Sequence, residues 1–175
     1  MGSTARPERT GYAPYFERYV ALVPDGDIVT TLREQGDAVR RKLAGLPESL
    51  AGFRYAADKW SVREVVGHCT DAERVFAYRA LAFARGETAP LPAFDENQYA
   101  RMAGHDAVPL AALLEEFGDV RAATLHLFRN LPPDAWTRVG TASGKPVSVR
   151  ALAFITAGHV AHHVALLHER YGIPP

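Results

Sequence analysis

The chain has 175 residues, 47% of them hydrophobic, which is enough to bury one core, and no shift of composition along it marks a second domain. Its 20 Lys and Arg balance its 20 Asp and Glu, and no basic run interleaved with aromatics occurs, so the electrostatic footprint of a nucleic-acid binder is missing. The single cysteine, Cys69, excludes a disulfide framework and any zinc site of paired cysteines, and it points to a reducing compartment, the cytoplasm.

Met1 to Gly11 is polar, with no apolar run, so it reads as a flexible tail (residues 1–11) rather than a signal peptide or a membrane span, ahead of one domain over residues 12–175. An aromatic lead-in (Tyr12, Tyr15, Phe16, Tyr19) reaches the turn Pro24-Asp25-Gly26. From there apolar residues recur mostly at three- and four-residue spacing, without long strict alternation, which predicts an all-α chain.

A first helix is expected from about Asp27 to Leu46, stopped by Pro47. The second opens on Ser61-Val62-Arg63-Glu64, a capping box in which hydroxyl and carboxylate each satisfy a backbone N–H, and continues to about Arg85-Gly86. A third runs from about Pro109 to Leu131 and ends before Pro132-Pro133. The fourth begins near Ser148, a good N-cap, and runs through Tyr171 to Gly172. Two connections are long for an up-down bundle. Residues 87–107, with Pro90, Pro92 and Asp95-Glu96-Asn97, form a loop of functional length, expected to wall a pocket and bring Asp95 or Asn97 near a substrate. Thr137 to Val147, with Gly140 and Ser143-Gly144-Lys145-Pro146, suggests turns and a short hairpin.

The seven histidines separate by position. On the fourth helix, about 100° per residue puts Leu152, Ile155, His159, His163, Leu166 and Arg170 on one stripe, so two imidazoles interrupt an apolar seam at i,i+4 spacing and can reach one ion. On the second helix Val65, His68, Ala72 and Val75 share the inward face, which brings a third imidazole into the core. A single inward histidine is most often a hydrogen-bonded core residue. Three in one small core need partners, because an unpaired buried polar group costs about 1 to 3 kcal/mol, and one shared divalent metal, zinc or nickel, would satisfy all three.

The other histidines read differently. His162 lies off the seam and is expected at the surface or on a pocket wall; His168 points to the opposite face; His126 is undecided; His105 is a loop residue. Cys69 is turned away from His68 and reads as a small buried hydrophobe. No Glu has a His three residues later, so a di-iron bundle is excluded, and neither a His-Glu-x-x-His nor a phosphate-cradling loop is present.

Trp60-Ser61-Val62-Arg63-Glu64-Val65-Val66-Gly67-His68 with Asp71-Ala72-Glu73-Arg74, the segment Leu91 to Tyr99, and Gly158-His159-Val160-Ala161-His162-His163 together resemble the DinB/YfiT-like superfamily over nearly the whole chain beyond the first dozen residues. The resemblance implies a four-helix bundle with a long cross-over connection, a divalent metal held by His68, His159 and His163, and a homodimer. It leaves the reaction open between hydrolysis and S-transfer or isomerisation dependent on a low-molecular-weight thiol. The expected enzyme acts on a small molecule, with thiol transfer ahead of hydrolysis, and binds neither membrane nor nucleic acid. Asp71, Glu73, Asp95 and Asp119 are available carboxylates, none assigned as a base. The contrasting reading is a non-enzymatic, metal-stapled bundle that serves as a dimer or partner module. An open coordination position favours the enzyme and a fourth protein ligand favours the staple.

Overall fold

The structure, a computed structural model, describes residues 5–174. After 3-10 turns at Arg9–Gly11 and Pro14–Phe16 come α1 (Glu17–Val20), α2 (Ile28–Leu43), the single turn α3 (Glu48–Ala51) and α4 (Val62–Ala84). The next connection holds α5 (Glu96–Ala103) and a 3-10 turn at His105–Ala107, then leads to α6 (Leu110–Arg129). A 3-10 turn at Pro133–Thr137 and an antiparallel hairpin, β1 (Val139–Ala142) and β2 (Lys145–Ser148), precede α7 (Val149–Tyr171).

Three of the long helices begin where a side chain caps them. Asp27 accepts from the Thr30 amide at 3.0 Å, and Ser148 from the Ala151 amide at 3.1 Å. At Ser61 both halves of the capping box form: the Glu64 amide donates to Ser61 Oγ at 3.1 Å, and the Ser61 amide donates to Glu64 Oε2 at 2.8 Å. These are the predicted starts. The first helix ends three residues early, at Leu43, because Ala44 to Leu46 turn off before Pro47.

The long helices α2, α4, α6 and α7 form a four-helix bundle in which α4 packs on α6 and α7, and α2 packs on the same two. Consecutive long helices α2 and α4 are therefore diagonal, as are α6 and α7, and the chain crosses an end of the bundle at both connections. The buried apolar side chains form two clusters. One is centred on Phe76, Phe83, Phe128, Trp136 and Phe154, the other on Val66, Leu113, Phe117, Leu167 and Tyr171. Each such fully buried large side chain stabilises the fold by about 1.5–3 kcal/mol. Both α4 and α7 pass from one cluster to the other, and His68 and His159 lie where they do so.

Three regions depart from the sequence expectation. Of the expected tail, residues 1–4 lie outside the described residues, but Arg6 donates to the carbonyls of Val20 at 2.7 Å and Val23 at 2.5 Å and pairs with Asp25 at 3.0 Å, while Pro7 is buried. The segment after Gly86 is not one loop. Asp95 caps α5 by accepting from the amides of Asn97 and Gln98, and Leu91 pairs with the hairpin through Leu91 N to Thr141 O at 2.8 Å and Ser143 N to Leu91 O at 3.1 Å. In α7, every residue from Ala151 to Val160 is buried, so its first half has no solvated face. The α1 segment covers part of this stretch and does so through Gly158: a Cβ there would lie 2.0 Å from the Tyr19 carbonyl oxygen, so only glycine allows that approach. Farther along, Leu167 and Tyr171 are buried, whereas Leu166 is half-buried and Arg170 exposed.

Candidate metal centre

α4 supplies His68 and α7 supplies His159 and His163, one turn apart; all three rings are buried, and one ring nitrogen from each lies within 4.8 Å of the others. The ring centroids are 4.9 Å apart for His68 with either partner and 4.6 Å for His159 with His163. His68 Nε2 faces His159 Nε2 at 3.0 Å, close to the about 3.4 Å that separates two imidazole nitrogens across a tetrahedral zinc ion. His163 Nδ1 is buried with no hydrogen-bond partner. Three converging imidazoles, an opposed nitrogen pair and an orphaned ring nitrogen suit a divalent ion, and no fourth His, Cys, Asp or Glu joins the cluster among the described residues.

Burial keeps the rings neutral, the state in which imidazole binds a metal. Desolvation pushes His68 down from 6.5 to about 4, and desolvation with the neighbouring rings pushes His163 down to about 3. His159, enclosed by His163, His68 and His162, falls well below its ordinary value by the same causes. Aromatic rings wall the cluster: Trp60 covers His68 at 4.6 Å and stacks on His163 at 6.3 Å, while Tyr19 and Phe76 meet His159 at 5.4 and 5.6 Å.

One side stays open. A cavity of about 390 Å³ reaches His159, lined also by Tyr15, Phe16, Tyr19, Phe76, Arg79, Phe94, Glu96, Ser143 and Lys145. Larger grooves on the α2–α6 and α2–α7 faces touch none of the three histidines. Residues 87–107 do wall the cavity, but through Ala93, Phe94 and Glu96. Asp95 and Asn97, expected there, are instead the cap and the first turn of α5, because an Asp in that position is drawn to the helix amides.

The remaining polar candidates find other partners. Glu73, one of the four available carboxylates, is 1% exposed and forms a two-pronged ion pair with Arg121 from α6, both N–O distances being 2.8 Å. Arg121 also donates to the Leu32 carbonyl and Gln35, and Gln35 donates to the Ala157 carbonyl, so the pair joins all four long helices. Asp71 is half-buried beside Arg74, and Asp119 is exposed. His162 is half-buried between Tyr19 and His163; His126 and His168 are exposed, the latter with Nδ1 2.9 Å from the Ile173 carbonyl oxygen. Cys69 is buried, as expected, and burial pushes its thiol up to about 12. His105, expected in a loop, opens a 3-10 turn and lays its ring on α4: a Cβ on Gly67 would be 2.2 Å from His105 Nδ1.

Arg121 and Arg79, and the pairing of Glu73 with Arg121, are not anticipated by the sequence analysis, although a signal is present. Cys69, Glu73, Phe76 and Ala80 are in helical phase and all buried, as are Leu114, Phe117, Arg121, Thr124 and Phe128, and Arg79 follows Phe76 at i+3 and precedes Phe83 at i+4. A charge on a core stripe was visible in each case.

Comparison with known proteins places this geometry. YfiT from Bacillus subtilis, described as a probable metal-dependent hydrolase with an unusual four-helix bundle topology, superposes with a TM-score of 0.74 at 18% identity, over 81% of this chain and 82% of that one. The mycothiol-dependent maleylpyruvate isomerase superposes with a TM-score of 0.65, also at 18% identity, over 78% of this chain and 58% of that longer one. No curated protein sequence matches significantly. The family model of the DinB superfamily matches residues 31–167, a span that carries all three buried histidines, and the chain belongs to that superfamily.

Proposed function

We propose that this protein is a metal-dependent enzyme in which His68, His159 and His163 hold one divalent ion, zinc or nickel, and in which a small molecule reacts in the cavity beside His159. The observation that carries this reading is the convergence of three neutral, buried imidazoles on one point that a cavity reaches. When bound, such an ion keeps its full charge, lowers the pKa of a water in its open position and ionises a coordinated thiol outright.

The chain's own residues bind, orient and exclude water. Trp60, Tyr19 and Phe76 pack around the imidazoles and keep bulk solvent from them, and Phe16 and Phe94 extend the apolar wall outward. Glu73 has both oxygens engaged by Arg121 and does not line the cavity, whose one carboxylate, Glu96, is exposed at its rim. A water at such an ion still needs an acceptor for its proton near neutral pH, whereas a thiol there would ionise outright and release its proton to solvent. Thiol-dependent transfer is therefore our preferred class, with hydrolysis second. A homodimer and a reducing cytoplasm belong to the same proposal; the lone buried Cys69 fits the latter.

The test is metal analysis of the purified protein with a screen of bacillithiol, mycothiol and glutathione as co-substrates. The expected result is one divalent ion per chain and thiol-dependent turnover that a chelator abolishes. Metal-free protein of full activity would overturn the reading. The metal-staple alternative is disfavoured because no fourth protein ligand closes the site among the described residues.

A further inference from the structure

Two arginines are buried in this bundle, and only one has a counter-charge. Arg121 is 3% exposed and saturated by Glu73, Gln35 and the Leu32 carbonyl. Arg79 is 4% exposed and makes no ion pair among the described residues. Its Nη2 donates to the Pro92 carbonyl at 2.9 Å and to Ser143 Oγ at 3.1 Å, both neutral acceptors, and among the described residues no hydrogen bond engages Nε or Nη1. A guanidinium largely withdrawn from water with no anion beside it is energetically costly. Burial lowers the pKa of Arg79.

Arg79 is also held firmly in place. The two groups that pin Nη2 come from different segments, the connection after α4 and the hairpin turn, and these segments are themselves hydrogen-bonded through Leu91. Ser143 has φ +53°, a left-handed backbone uncommon outside glycine, asparagine and aspartate, and it turns its hydroxyl to the guanidinium. Phe94 lies against the guanidinium, with the ring centroid 5.7 Å from Cζ. Arg79 thus lines the same cavity that His159 lines.

We infer that Arg79 anchors a carboxylate of the small molecule that occupies this cavity, with Lys145 at the rim adding a second positive charge. The inference rests on the proposed function in placing the reactive end of that molecule beside His159. A guanidinium with Nη1 free matches a planar carboxylate through charge-assisted hydrogen bonds. A phosphate dianion fits less well, because Glu96 lines the same cavity and repels a second negative charge. The cavity holds on the order of a dozen non-hydrogen atoms, and its aromatic walls suit a ligand with an apolar body.

Benzoate and its uncharged isostere benzamide test this on the full chain, stripped of metal by a chelator so that only protein groups bind the anion. Benzoate should bind at least tenfold more tightly than benzamide, and Arg79→Gln should remove that preference while the variant still folds cooperatively and the metal content of the reloaded protein stays at the wild-type value. Arg79→Lys should keep part of it. In the wild-type protein the Arg79 Nε–H resonance should shift with benzoate and not with benzamide, a measurement that holds even if the variants fail to fold. Equal affinity for the two probes, an unshifted Arg79 resonance, or an unchanged preference in a folded Arg79→Gln overturns the inference. Absence of metal from the purified protein would instead defeat the metal reading and leave the benzoate result to stand on its own.

Discussion

Two polar clusters lie inside one apolar bundle, and they solve burial in opposite ways. Around Arg121 every charge is answered from within: Glu73 grips the guanidinium with both oxygens, and Gln35 passes the network on to the Ala157 carbonyl. Two residues along α7, His159 begins a cluster that cannot answer itself, with one nitrogen pair opposed and another nitrogen orphaned. Self-satisfaction marks structure, and a deficit left standing in a well-packed core marks a place where something outside the chain completes the bonding. Helix phase alone does not distinguish the clusters; the inventory of partners does.

The strongest way to break this comparison is to remove a ring. His159→Ala or His163→Ala should lower zinc affinity by at least about a hundredfold, since two ligands do not replace three, whereas His168→Ala on the exposed face should leave it unchanged. Dialysis against a competing chelator reads this, and full metal content in both alanine variants would sink the ligand assignment. Opening the other cluster should act on folding instead. Glu73→Gln strands a buried guanidinium and should cost about 3–5 kcal/mol in denaturant unfolding, while the paired change Glu73→Leu with Arg121→Met should recover most of it. A single variant as stable as the double would show that the ion pair is not self-contained.

Acid should separate the clusters next. The unfolded chain takes up protons on these histidines near pH 6.5, whereas the folded state resists until about 4 at His68 and about 3 at His163. Stability of the metal-free protein is thus full above about pH 6.5 and falls as pH drops, by on the order of 2 kcal/mol per ring at pH 5. Urea midpoints of wild type and His163→Leu at pH 7 and pH 5 measure it; the same pH dependence in both would count against neutral buried rings. The smallest effect sharpens the boundary. Gln35→Ala should cost about 1 kcal/mol and leave zinc affinity alone, and a fall in affinity would show that the Ala157 carbonyl couples the two clusters.

Local chemistry was legible in the sequence and long-range pairing was not. Asp27, Ser61 with Glu64, and Ser148 announce their helices because a cap is decided within four residues, and His159 with His163 announce a shared face for the same reason. The meeting of His68 with them followed from helix phase and from family resemblance. The partner of Glu73 lies 48 residues away on α6, and no local rule selects Arg121 from the chain's other arginines. The cover that Trp60 gives His68, and the ring of His105 against Gly67, are likewise set by how connections fold back on the helices. Asp95 departs from its expected place through competition: a carboxylate beside a cavity and a helix cap draw on the same residue type, and the nearby amides of α5 take it.

The hydrogen bonds that tie Leu91 to the hairpin divide labour in a way that bears on how such a protein diversifies. The three histidines stand on α4 and α7, whose positions are fixed by the core, whereas much of the outer wall of the cavity is built from two surface segments joined to each other. Insertions or exchanges there would reshape what enters without moving the rings, so altered selectivity should be reachable by grafting residues 87–95 together with 138–147. Either segment transplanted alone would lose the partner that holds it in place.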